Sequence, residues 1–174
     1  AGSDWSSDVC SSDLSGIPYG TAFVKNGYVG RTFIKPKQSS RESSVRVKLN
    51  VLREAVEGKR VIMIDDLIVR GTTSDRIVHM LREAGAKEVH MRVSSPPFLW
   101  PCYFGTDVPA REQLIAYNRT VEEIRQVIGA DSLGYLDCSR LRQMAGDLPI
   151  CTGCFTGNYP LDPPMEDIRG EFEQ

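Results

Sequence analysis

Residues 60–66, RVIMIDD, followed by LIVRGTTSDRIVHMLREAG and then EVHMRV, constrain the fold more than any other part of the chain. The run 60–65 is nearly all apolar, as expected of a strand covered on both faces. From Thr73 onward Ile77, Met80, Leu81 and Ala84 recur at helical spacing, and Gly85 supplies a stop. Val89, Met91 and Val93 then alternate through a second strand, 88–97, closed by Pro96 and Pro97. Strand, loop, helix and strand in so short a span make a βαβ unit. Parallel strands with a right-handed crossover follow, and with them an α/β fold whose mostly parallel sheet is flanked by helices.

The rest of the chain fits around that unit. IPYGTAFV, 17–24, reads as a strand, and Asn50 is placed to cap a helix running to Glu57 with Gly58 as its stop. Two further helices are expected at 110–117 and 121–128, the second with a capping box made by Thr120 and Glu123. LGYL, 133–136, reads as a short strand and 138–145 as a last helix, before a Pro-rich acidic tail that frays from Tyr159. Residues 26–48 differ in kind, with two glycines, Pro36, four serines and many basic residues but little apolar period. They are either a solvated surface loop or a mobile cationic lid.

Composition excludes several classes. With 174 residues, 41% hydrophobic and 25% charged, the chain has the make-up of a globular domain with a real core. A net charge of −2 and a pI near 5.8 argue against nucleic acid or an anionic membrane as partner. No apolar run approaches the roughly 20 residues that span a bilayer. Five scattered cysteines argue against a disulfide framework and for a reducing cytoplasm. The segment DWSSDVCSSDL, 4–14, resembles the conceptual translation of a sequencing-library adapter. On that reading 1–14 is adapter-derived or disordered, Cys10 carries no meaning, and the natural protein continues upstream of Ser15 with other residues.

Two carboxylates, Asp65 and Asp66, stand where the first strand of the unit ends, the place where open α/β sheets bind ligands. Val69, Arg70, Gly71, Thr72, Thr73 and Ser74 then lead into a helix N-terminus, whose N–H groups and dipole favour a phosphate. Paired acids suit vicinal hydroxyls or Mg²⁺, and either relieves their mutual repulsion. Taken singly, the acids could merely be solvated and the hydroxyls merely cap the helix. Together, within ten residues, they describe a site for a ribose 5-phosphate.

The same stretch resembles the phosphoribosylpyrophosphate motif of type I phosphoribosyltransferases. SGIPYGTAFVKNGYVGRTFIKP, VKLNVLREAVEGKRVIMIDD, IVRGTTS, MLREAGAKEVHMRVSSPP, VEEIRQVIGADSL and CFTGNYP narrow the resemblance to the amidophosphoribosyltransferase family, over residues 15–160. That resemblance implies a partial type I phosphoribosyltransferase fold over 15–136, with a helical and irregular extension over 137–174. It implies conversion of phosphoribosylpyrophosphate, glutamine and water to phosphoribosylamine, glutamate and pyrophosphate, the first committed step of purine synthesis. Asp65 and Asp66 are then expected to serve the ribose hydroxyls and Mg²⁺, and 69–74 the 5′-phosphate. Residues 26–48 become the closing loop, with Lys25, Arg31 and Lys48 as candidates to meet pyrophosphate. A cytoplasmic homotetramer inhibited by purine nucleotides is also implied.

The chain departs from the family pattern at Leu67, where Ser is usual, and at Asp75, where a basic residue is common. The family's glutaminase domain and an upstream strand with a hydroxyl metal ligand have no counterpart here, so the chain is expected to be a fragment with little or no activity.

Cys151 and Cys154 form C-x-x-C, a spacing equally compatible with zinc, redox chemistry or chance. One subgroup of the family carries a structural [4Fe–4S] cluster. Its ligands match Cys102, Cys151 and Cys154, with the fourth expected from the upstream half. Cys138 is expected to pack in the core, and His79 and His90 to be structural. Two competing functions remain. A salvage phosphoribosyltransferase would need a base-stacking aromatic and no cluster cysteines, and a phosphoribosylpyrophosphate-sensing regulator would need a DNA-binding module or a basic face.

Overall fold

A computed structural model describes residues 12–25, 49–104 and 110–162, with Lys25 as backbone only. Strand β1 (Phe23–Lys25) pairs antiparallel with β2 (Leu49–Val51), and a short helix α1 (Arg53–Val56) follows. Then come β3 (Arg60–Asp65), α2 (Thr72–Glu83), β4 (Glu88–Val93), α3 (Val121–Ile128), β5 (Ser132–Tyr135), α4 (Cys138–Ala145) and α5 (Gly153–Thr156). Strands β3, β4 and β5 form a parallel sheet in that order, with Val61 beside Val89 and Met91 beside Leu133.

The core forms where the helices cover this sheet. Val89 and Met91 of the central strand are fully buried against Val78 and Leu81 of α2 and Ile124 and Ile128 of α3. Arg82 ties the layers together. Its guanidinium donates to the Gly129 carbonyl and to Asp131 at 2.9 Å, and the same carboxylate accepts the Val89 N–H at 2.6 Å. The capping box of α3 is present as expected: Thr120 N–H donates to Glu123 Oε2 at 2.7 Å, and Glu123 N–H to the Thr120 hydroxyl at 3.2 Å.

The described residues form a second apolar cluster. Phe98 and Leu114 are buried there, with Leu67, Val69, Cys102, Tyr117, Cys154 and Phe155 packed around them. It docks the C-terminal extension, since the Leu99 and Trp100 N–H groups both donate to the Cys154 carbonyl at 3.0 Å.

Several expectations need correction. The strand expected over 17–24 shrinks to Phe23–Lys25. Asn50 lies inside β2 and caps nothing, and the helix after it begins only at Arg53. The expected helix 110–117 is a single 3-10 turn, Arg111–Gln113, after which Leu114, Ile115 and Ala116 run in extended or irregular backbone and are buried in succession. β3 is covered on one face only: Arg60, Ile62 and Ile64 are exposed while alternate residues are half-buried. Residues 12–15 form one exposed helical turn. Tyr159 does not fray; its hydroxyl donates to the Pro101 carbonyl at 2.6 Å and its ring stacks edge-on with Tyr103.

Candidate active site

The acid pair sits at the carboxyl end of β3. β4 pins the Asp65 backbone, whose carbonyl accepts from the Ser94 N–H at 3.0 Å and the Ser94 hydroxyl at 3.2 Å. Asp65 Oδ1 accepts the Asp66 N–H at 3.1 Å, and Asp66 Oδ1 accepts the Leu67 N–H at 2.8 Å. Burial, followed by the neighbouring Asp66 charge, pushes the Asp65 carboxyl up to about 6, although the Asp66 N–H bond acts in the opposite direction. Ionising this carboxyl is costly until a cation or a donor arrives.

Across from the acids, the loop is held by residues far away in sequence. The Ile115 N–H donates to the Val69 carbonyl at 2.8 Å. Gly71 takes φ +80°, and a Cβ there would collide with Ile115 Cδ1 and lie 3.3 Å from Cγ1. Glycine is therefore required for conformation and packing, besides any approach to a ligand. Helix α2 begins directly after Gly71, and no side chain caps it. Thr72 and Thr73 are exposed, whereas Ser74 is buried. The Nε of Arg70 is buried and has no hydrogen-bond partner among the described residues. A buried guanidinium N–H without an acceptor is unfavourable, and an anion at the uncapped helix start would satisfy it.

The remaining predicted residues are distributed unevenly. Lys25 ends β1, and Arg31 and Lys48 lie outside the described residues, as does all of 26–48. The pairing of Lys25 with Leu49 brings the two ends of that segment together. Leu67 turns into the second cluster, towards Cys154 and Phe155. Asp75 is exposed in the first turn of α2. His79 pairs with Glu83 at 3.2 Å on the helix surface; His90 bridges Ser132 and Glu88, each at 2.9 Å.

The cysteines share one neighbourhood. Burial pushes the Cys154 thiol up to about 11, with further contributions from Cys102, Cys151 and Cys138. Thiolate donors suit iron, but among the described residues no three Cys, His, Asp or Glu side chains converge closely enough to hold a metal ion. Cys138 is not core packing. It is half-buried at the start of α4, outside both apolar clusters.

Two hydroxyls escaped the sequence reading. Ser95 Oγ, just past β4, and the Tyr135 OH, at the end of β5, are buried without partners among the described residues. Burial pushes the Tyr135 hydroxyl up to about 12. Both stand at the carboxyl edge of the sheet that carries Asp65, and that position after each strand was a signal available in the sequence.

No protein-family model matches the chain. Curated relatives do. It is 55% identical over 159 residues to an amidophosphoribosyltransferase of Archaeoglobus fulgidus, covering 89% of this chain and 35% of that protein. The Bacillus subtilis amidophosphoribosyltransferase is 54% identical over 156 residues, covering 86% of this chain and 33% of that one. Among solved structures, the B. subtilis glutamine phosphoribosylpyrophosphate amidotransferase complexed with ADP and GMP aligns with TM-score 0.76 and 51% identity, over 91% of this chain and 36% of that one. A structure described as the allosteric regulatory enzyme of purine biosynthesis aligns with TM-score 0.75 and 52% identity, over 90% of this chain and 35% of that one. The chain thus spans about a third of the length of the relatives it matches. In sequence and in fold it is homologous to that third of an amidophosphoribosyltransferase, and it belongs with them.

Proposed function

We propose that this chain forms the phosphoribosylpyrophosphate-binding part of an enzyme that transfers a phosphoribosyl group to glutamine-derived ammonia, the first committed step of purine synthesis. The observation that carries the reading is the buried Arg70 Nε, unpartnered among the described residues, beside a helix start that no described side chain caps, with a carboxylate pair at the end of the adjoining strand. One feature asks for an anion and the other for hydroxyls or a cation, as a phosphorylated ribose provides.

In this reading Arg70 and the N–H groups of Thr72, Thr73 and Ser74 hold the 5′-phosphate. Asp65 and Asp66 accept the ribose hydroxyls and are the residues that would hold Mg²⁺, which when bound supplies positive charge to the leaving pyrophosphate. Ammonia attacks the anomeric carbon; the new C–N bond forms as the C–O bond to pyrophosphate breaks. Little is asked of a nucleophilic side chain, so the chain contributes positioning, charge stabilisation and exclusion of water. Lys25, Arg31 and Lys48 are proposed to meet the pyrophosphate.

We extend the proposal to the finer features that the resemblance implies. Cys102, Cys151 and Cys154 would ligate a [4Fe–4S] cluster once their segments close together, with a fourth ligand from outside this chain. The influence of Cys102 and Cys151 on the Cys154 thiol supports this, since it reflects the closeness of the three side chains. The B. subtilis relative was solved with ADP and GMP, which supports purine nucleotides as regulators of the whole enzyme; its cytoplasmic location and oligomeric state are proposed from the resemblance alone. No described helix is long and apolar enough to cross a membrane.

Thermal denaturation tests the site directly. Phosphoribosylpyrophosphate with Mg²⁺ is expected to raise the melting temperature of the parent chain and not that of Arg70→Ala, while free purine base and duplex DNA leave both unchanged. Equal shifts in the two chains would remove Arg70 from the site, and a response to DNA would favour a regulator.

A further inference from the structure

Trp100, Arg111 and Tyr117 form a stack, with Tyr117 packed against the second apolar cluster. The Arg111 guanidinium carbon lies 3.3 Å from the centroid of the Trp100 ring and 5.0 Å from that of Tyr117. Its Nε donates to the Leu99 carbonyl at 3.1 Å, which fixes the plane of the fork as well as its place. A guanidinium over an aromatic face is attracted by the ring's quadrupole, and its flat shape stacks where an ammonium cannot.

Both sides of the stack are tied to other parts of the chain. Trp100 is held by the C-terminal extension: its N–H donates to the Cys154 carbonyl at 3.0 Å, and its indole lies over Gly157, where a Cβ would stand only 2.9 Å away. Arg111 opens the 3-10 turn Arg111–Gln113, and its carbonyl accepts the Leu114 N–H at 3.1 Å. Ile115 comes next, the residue whose N–H holds the Val69 carbonyl at 2.8 Å and whose side chain fills the space beside Gly71. Leu114, Ile115 and Ala116 are all buried, so this short segment has little room to shift except as a unit with its turn.

We infer that Arg111 is a positioning residue for the phosphate loop, an inference that rests on the function proposed above for what the loop binds. Clamped between Trp100 and Tyr117, Arg111 fixes the turn that sets Ile115 against Val69 and Gly71. It acts through Ile115 rather than on a ligand, and the C-terminal extension acts through Trp100. Without the guanidinium the turn is free to move, and Ile115 no longer holds 69–71 in one place. Arg70 and the N–H groups of Thr72, Thr73 and Ser74 then converge on a phosphate for a smaller fraction of the time, while the sheet keeps its own core.

Amide hydrogen exchange of the full chain, read by NMR without ligand, tests the positioning. The Ile115 N–H reports its bond to Val69, the Asp75 N–H reports its 2.9 Å bond to the Gly71 carbonyl, and the Val89 N–H, bonded to Asp131, serves as reference. In Arg111→Ala the first two are expected to exchange about fivefold faster and Val89 at the parent rate. Arg111→Lys keeps a cation over the rings but loses the flat stack and the Leu99 bond, and is expected to recover only part of the protection. Trp100→Leu is expected to act as Arg111→Ala does, and the two combined to cost little more than either alone, since they break one contact. Calorimetry with ribose 5-phosphate then reads the consequence, an affinity about fivefold lower in Arg111→Ala. Unchanged exchange at Asp75 overturns the inference, as does equal acceleration at Val89, effects of Arg111 and Trp100 that simply add, or undiminished affinity beside a parent that binds. A folded parent that binds no ribose 5-phosphate overturns the proposed function instead, and the exchange at Ile115 and Asp75 still decides whether Arg111 positions the loop.

Discussion

Ile115 holds Val69 in place: its N–H donates to the Val69 carbonyl at 2.8 Å, and its side chain fills the space beside Gly71 where a Cβ would lie. The loop between the acid pair and α2 is therefore shaped by a buried residue from the segment between β4 and α3. Gly71→Ala would force a positive φ on a residue that disfavours it and push against Ile115. A loss of about 1–3 kcal/mol is expected in urea unfolding. Ile115→Ala should by itself lower stability, but adding Gly71→Ala to it should cost less than in the parent, since the collision is relieved.

The Asp65 carboxyl titrates near 6 in the fold against 3.8 in its ordinary state. A raised carboxyl contributes stability fully present below the ordinary value and lost as pH rises through about 6. The parent should therefore lose stability between about pH 4 and pH 7 through this group. Asp65→Asn, which cannot ionise, should be more stable than the parent by about 1–2 kcal/mol near pH 8, the shift being discounted for partial solvent screening. The difference should close towards pH 4. Urea unfolding at several pH values in the absence of Mg²⁺ measures it, and a constant difference would contradict the assignment.

The parts legible in the sequence were those set by local pattern. The periodicity through Ile77, Met80, Leu81 and Ala84 gave α2, and Thr120 with Glu123 gave the start of α3, because caps and helical faces are built from neighbours in sequence. What the residues could not give depended on distant partners. RVIMID reads the same whether its strand is central or at an edge, and only its neighbours decide that Ile62 and Ile64 lie exposed. Leu114, Ile115 and Ala116 look helical until they are buried together. The position of Asp65, Asp66 and the loop after them, between the end of β3 and the start of α2, was readable from spacing. The places of Ser95 and Tyr135 at the carboxyl edge of the sheet, and of Ile115 against Gly71, emerge only when the elements are set side by side.

Cysteine reactivity should follow burial. Cys151 is exposed, whereas Cys154 is partly buried with its thiol pushed up to about 11 by burial and by three neighbouring cysteines. Since the thiolate is the nucleophile, iodoacetamide near pH 8 should label Cys151 at least about tenfold faster than Cys154. The Cys154 rate should keep rising towards about pH 11. Comparable rates read by peptide mass spectrometry would show that the C-x-x-C turn opens readily.

Calorimetric titration of phosphoribosylpyrophosphate in the presence of Mg²⁺ measures the central relationship most directly, comparing the parent with an Asp65→Asn, Asp66→Asn double variant and with Arg70→Ala. The account predicts saturable one-site binding to the parent, loss of at least about tenfold in affinity in each variant, and retained binding of ribose 5-phosphate by the parent alone. Undiminished binding in the variants, or none in a folded parent, would contradict it.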